Sequence, residues 1–173
     1  TALPFHDPDQ LVGVFRTTPQ SGPQGTWPQS VPTYLDLANR THTVSALAAL
    51  VQRPGLVTVH GHGTEVNAVK VTGNLFPLLG IQAQRGRLLG PSDDALGQAA
   101  VAVLSDEFWR SALGADPSVV GSTIDIDGTP TTIIGIAPAA LQVPIGSQLF
   151  AGGVWLTIRD ICFAGAGEPT MHP

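Results

Sequence analysis

Two histidines one residue apart, His60-Gly61-His62, form the best metal-ligand pattern in the chain. On a β-strand, residues i and i+2 point to the same side, so two imidazoles at that spacing can share one zinc or copper ion. Such a site needs a further ligand, and His6, His42 and Glu65 are the nearest in sequence. The competing reading is a solvent-facing strand end or turn. It is the one adopted here, and no metal or other cofactor is assigned. Asp125-Ile126-Asp127-Gly128 has part of the pattern of a calcium loop, but position 123 is Thr and the glycine follows too early. A hairpin turn accounts for Asp127-Gly128. Ser105 follows an apolar run and opens a helical pattern, where a hydrolase nucleophile would stand. The nucleophile elbow needs glycine two residues to either side, and those places hold Val103 and Glu107. Gly80, Gly86 and Gly90 lack the spacing of a phosphate or dinucleotide loop. Asp93 and Asp94 read as a solvated acidic turn. No catalytic residue is assigned, and the chain reads as a non-enzyme.

The elements that position these residues are clearest between Ala99 and Ala137. Ala100 to Leu104 is an apolar run of strand length. Ser105 stands at an N-cap, with Asp106 and Glu107 in the first turn, where carboxylates favour the positive end of a helix. Phe108, Trp109, Ala112 and Leu113 recur at helical spacing, and Gly114 suits the C′ position. After Asp116-Pro117-Ser118-Val119-Val120-Gly121, two β-branched runs, Ser122 to Ile126 and Thr131 to Ile136, flank Asp127-Gly128. That pair is preferred in a tight hairpin turn.

Upstream, Leu11 to Phe15 reads as a first strand after a Pro/Asp-rich lead-in. Thr17 to Gln29 is a long polar loop, with Trp27 read as packed against the domain. Ser30 to Leu50 is helical: Pro32 suits a first turn, and Tyr34, Leu37 and Ala38 line one face. Thr41 to Thr43 interrupts the pattern, and Val44, Leu47 and Ala48 resume it, giving two helices or one broken helix that ends at Arg53-Pro54-Gly55. Leu56 to Thr72 reads as two strands joined by His60-Gly61-His62-Gly63-Thr64-Glu65. Gly73 to Leu79 is a short helix ended by Gly80 in a left-handed conformation, and Gly86 permits a tight turn before Arg87. The expected fold is α+β, with mixed and antiparallel sheets and β-α-β-like units.

The chain has 173 residues, enough for a core of one domain or two small subdomains. Charged residues are only 12%, about half the usual share, and net charge is −5. Lys70 is the sole lysine, so no basic patch is present for nucleic acid or an anionic membrane surface. Cys162 is alone, which rules out an internal disulfide. No apolar run approaches the roughly 20 residues of a membrane span. The first ten residues have neither a basic run nor an apolar core, so no signal peptide is expected in them.

Several short motifs occur in a recognisable order. They are Leu3-Pro4-Phe5 with Asp7-Pro8-Asp9, then Leu79-Gly80 with Gly86-Arg87 and the acidic Ser92-Asp93-Asp94. The strand, aromatic helix and Asp127-Gly128 hairpin described above follow, and then Val154-Trp155-Leu156. Over residues 3 to 157 the chain resembles the MacB-like periplasmic core domain of FtsX/MacB-type ABC-transporter permeases. The family often has Pro where Ala83 or Gln84 stands here.

The resemblance implies an extracytoplasmic domain, on the periplasmic side of the inner membrane. It would be joined to membrane-spanning permease segments, work with a separate ATPase subunit or domain, and be paired as a homodimer in the intact transporter. It would transmit ATP-driven motion for export or signalling without chemistry of its own. Family members continue into more extracytoplasmic residues and further membrane helices, which implies that this chain is part of a permease. The domain is expected over residues 1–158, and residues 159–173 are expected to be a disordered tail. Two other functions stand beside this one: a free-standing extracytoplasmic binding domain, and a metal-dependent hydrolase using His60 and His62.

Overall fold

A computed structural model of the chain describes Phe5, residues 8–14, 31–95, 97–139, 141–145 and 148–158. Trp27, Cys162, the 17–29 loop and the 159–173 tail lie outside these residues.

The first long element is helix α1, Val31–Arg40. Strands β1, Leu50–Val59, and β2, His62–Val71, then form a hairpin paired along its whole length. Its turn is His60-Gly61, with φ of 50° and 81°. Two positive φ values in a two-residue loop match the right-handed twist of the strands. Helix α2, Leu75–Leu79, ends at Gly80 with φ of 67°. The short β3, Arg85–Gly86, leads to β4, Val101–Leu104, and helix α3, Asp106–Leu113. Strands β5, Thr123–Ile126, and β6, Thr129–Ile136, are joined by Asp127-Gly128, with φ of 52° and 80°. Strands β7, Val143–Ile145, and β8, Gln148–Phe150, pair with each other, and β9, Val154–Thr157, returns to the main sheet.

The main sheet runs β3-β6-β4-β9-β2-β1-β5, and β5 pairs again with β6. Six strands therefore close on themselves as a small barrel. The sheet is mixed: β4 lies parallel to β6, β2 lies parallel to β9, and the other pairs are antiparallel. Each parallel pair has helix in its intervening chain, α3 in the first and both α2 and α3 in the second. The fold is thus α+β with β-α-β-like units.

All six barrel strands contribute to one core, through Val57, Ala68, Leu104, Ile126, Ile133 and Val154 among others. Phe108 and Trp109 of α3 close one end of it. A register shift between β4 and β6 pairs Ala102 with Ile133 and Val103 with Gly135, so Ile134 is bulged out. The extra residue lets Ile133 and Ile136 both face the interior. A second core lies outside the barrel, where Val69, Val71, Val103 and Trp155 pack against Leu75, Phe76 and Leu79 of α2, with Phe5 and Leu89. The Phe76 and Trp155 rings meet edge to face at 5.6 Å.

Three sequence expectations fail here. Leu11–Val14 forms no strand; Val12 is 77% exposed, and only Leu11 reaches the second core. The helix does not resume after Thr43. Tyr34 Oη and Asn74 Nδ2 both donate to the Leu47 carbonyl, and Ala49 exchanges backbone and hydroxyl bonds with Thr72. These bonds hold the segment extended and feed it into β1. Arg53-Pro54-Gly55 therefore lies inside a strand rather than ending a helix. The backbone N–H and C=O of Leu56 point away from β2, toward Asp127. Pro54 is two residues earlier and shares that side, so its missing N–H removes no bond from the β1–β2 ladder.

Candidate functional site

The Gly86-Arg87 motif and the acidic pair after it form one clamp. Arg87 Nη1 and Nη2 donate to the two Asp93 carboxylate oxygens at 2.7 and 2.9 Å, a bidentate arrangement. Asp93 is buried and also accepts the Gly90 N–H at 2.8 Å. Asp94 accepts the N–H of Gly73. Contact with Asp93 raises the Arg87 pKa above its ordinary value, chiefly through the hydrogen bonds. The expectation of a solvated acidic turn is thus corrected: both carboxylates are drawn inward because backbone N–H groups and a guanidinium meet them there. Two glycines make the approach possible. A Cβ on Gly73 would sit 2.2 Å from the Gly90 oxygen, and one on Gly86, where φ is 63°, would sit 2.3 Å from the Ile134 oxygen.

Helix α3 is capped as its residue types dictate. Ser105 Oγ accepts the Phe108 N–H at 3.0 Å, and Gly114 takes φ of 60° at the other end. Ser105 is thereby spent on the cap. Arg110 donates to Asp106 at 2.8 Å, and Gln84 donates to the other Asp106 oxygen at 2.9 Å. Gln84 thus ties the approach to β3 onto α3. Those bonds, Arg110's first, hold the Asp106 carboxyl below its usual range. Trp109 is buried, donates its indole N–H to the Asp116 carbonyl at 2.8 Å, and carries Arg85 and Arg110 each 5.5 Å from its ring centre. Gly121 follows, with φ of 95°.

The histidine pattern does not form the pair that a shared metal ion would need. His60 is in the hairpin turn with φ of 50°, and His62 begins β2 opposite Val59. They are not i and i+2 of one strand, because the two-residue turn takes His60 out of β1. Among the described residues, no group of three or more His, Cys, Asp and Glu side chains is placed to hold a metal ion. His60 instead borders a cleft of about 360 Å³ with Leu113, Asp116 and Asp125. The two carboxylates are engaged elsewhere: Asp116 Oδ1 accepts the Ser118 hydroxyl and N–H, and Asp125 Oδ1 accepts the Gly128 N–H. The Ser118 bonds, side chain first, lower the Asp116 pKa. The Asp125 bond makes Asp125-Ile126-Asp127-Gly128 a self-contained turn.

A second cleft, of about 170 Å³, opens at the end of the barrel opposite α3. There β2 and β9 end, β4 begins and β5 turns into β6. Lys70, Asp127, Thr129, Thr131 and Thr157 line it. Sequence reasoning missed this site. The signal was the alternation in β2: Val69 and Val71 belong to the outer core and Ala68 to the inner one, so Lys70 shares the face turned to the barrel.

Comparison with known proteins places this architecture. The periplasmic region of MacB from Actinobacillus actinomycetemcomitans superposes with a TM-score of 0.63 at 15% identity, covering 89% of this chain and 67% of that one. The extracellular domain of the noncanonic ABC-type transporter YknZ from Gram-positive bacteria gives 0.60 at 14% identity, covering 79% of this chain and 66% of that one. The macrolide export ATP-binding/permease protein MacB of Burkholderia thailandensis is 36% identical over 78 residues. That stretch is 43% of this chain and 12% of the relative's length. The barrel and its outer helix are thus a shared fold. Residues 3–168 match the family described as the MacB-like periplasmic core domain, and the chain belongs to that family.

Proposed function

We infer that this chain is an extracytoplasmic module of an ABC-type permease, which passes motion between membrane helices and external partners and does no chemistry itself. The family match over residues 3–168 carries the reading. The packing supports it: Phe5 and Trp155 lie in one core, on the outer face of the closed barrel. A displacement applied near either residue is therefore delivered to the same close-packed body, which moves as a unit because interiors deform little. The working assembly is two such modules on paired permease segments, driven by a separate ATPase subunit or domain, on the periplasmic side of the inner membrane. The exported substrate class follows from none of these residues.

The test is a distance measurement in the complete permease. Spin labels at exposed Thr64 of two copies report their separation with and without ATP. A nucleotide-dependent change with the domain's internal distances fixed is expected. An unchanged separation during active turnover rejects the reading.

A further inference from the structure

Lys70 and Asp127 line one cleft, yet no ion pair joins them. Asp127 is fixed in place. Its Oδ1 accepts the Leu56 N–H at 2.8 Å, and its carboxylate lies over Gly55, where an added Cβ would be 3.5 Å from Oδ2. Lys70 is only partly exposed, and its side chain makes no hydrogen bond or ion pair among the described residues. The Thr131 hydroxyl donates to the Thr129 carbonyl at 2.9 Å, which leaves its oxygen free to accept. A cation and an anion thus share one partly enclosed space without neutralising each other. A simple anion entering it is attracted by Lys70 and repelled by Asp127, and a simple cation meets the reverse. Only a molecule carrying both charges satisfies both walls. The cleft has room for several waters at about 30 Å³ each, the scale of a small metabolite and not of a folded partner.

We propose that the cleft between Lys70 and Asp127 binds a small zwitterion of the free amino-acid class, its carboxylate toward Lys70 and its ammonium toward Asp127. The site is independent of the transmission role, since it uses neither Phe5 nor Trp155, from which that role is argued.

The test is amide NMR on the 173-residue chain titrated with L-alanine, with acetate and ethylamine as single-charge controls. L-Alanine is expected to move the Ala100, Val101 and Thr129 resonances saturably, with a midpoint on the order of 1 mM. Each control is expected to bind about tenfold more weakly or worse. Lys70→Met keeps the apolar stem, and Asp127→Asn keeps an oxygen for the Leu56 N–H; each is expected to weaken binding at least about tenfold. If Asp127→Asn fails to fold, Lys70→Met decides alone, because the Lys70 side chain bonds to no described residue. No saturable shift by about 50 mM L-alanine, parent-like binding in Lys70→Met, or acetate binding as well as L-alanine would each overturn the proposal.

Discussion

Asp127 and Leu56, 71 positions apart, exchange two hydrogen bonds: the Asp127 N–H donates to the Leu56 carbonyl at 2.9 Å, and the Leu56 N–H donates to Asp127 Oδ1 at 2.8 Å. A turn residue thereby acts as one more rung on the edge of β1. Asp127→Asn keeps the acceptor and tolerates positive φ, so its stability should stay within about 0.5 kcal/mol of the parent. Asp127→Ala loses both advantages and should cost about 1–2 kcal/mol in urea unfolding. Equal behaviour of the two variants would show that the side-chain bond contributes nothing.

Arg87→Ala should destabilise by about 2 kcal/mol, since it leaves the buried Asp93 carboxylate without its guanidinium. The figure lies below that of a fully buried pair because the Arg87 side chain is 55% exposed. The double variant Arg87→Ala/Asp93→Asn should recover part of the loss. A double variant worse than the sum of the singles would refute the clamp.

Gly86→Ala and Gly121→Ala separate two costs. Both positions have positive φ, but only Gly86 would press its new methyl into a carbonyl, that of Ile134 at 2.3 Å; nothing lies within 4 Å of Gly121. Gly121→Ala should cost about 1 kcal/mol, and Gly86→Ala more than about 3 kcal/mol. Melting temperatures in the same order would follow.

Acid should weaken the fold through Asp106 and Asp116. Both carboxyls are held below the usual carboxylate range, so the unfolded chain binds more protons than the folded one as pH falls into that range. Stability is then complete above the unfolded pKa and is lost as pH drops through the folded one. Melting curves between about pH 5 and pH 2 should fall less steeply in Asp106→Asn than in the parent. Parallel curves would remove Asp106 from the acid response.

Replacing His60 and His62 together with Ala should change stability by no more than about 1 kcal/mol, and added zinc should shift neither parent nor variant. A zinc-dependent rise in the melting temperature of the parent alone would restore the metal site.

Local chemistry was legible in the sequence wherever one residue decides one bond. Ser105 and Gly114 mark the ends of α3, and Asp127-Gly128 marks its turn, because caps and two-residue turns are satisfied within a few positions. The segment after Arg40 was misjudged because Val44, Leu47 and Ala48 fit helical spacing, while the bonds that fix it come from Tyr34, Thr72 and Asn74. Asp93 and Asp94 looked like solvated charge because their partners, Arg87 and Gly73, are assigned by the fold rather than by spacing. Lys70 was hidden for a similar reason: the C-terminal end of β2, from Ala68 to Val71, packs on both faces, and a strand reading that allows one core face sends every polar residue to solvent.

Strand β9 lies between β2 and β4, both of which precede it by a long stretch of chain. The β1–β2 hairpin and the β4–α3–β5–β6 unit can each assemble as they leave the ribosome, yet the ring stays open until Val154–Thr157 emerges. At roughly 5–20 residues per second, the edges of β2 and β4 wait several seconds for their shared neighbour. During that interval each can recruit a strand from another nascent chain, so the late-made β9 is what shields these two edges from other copies of the chain.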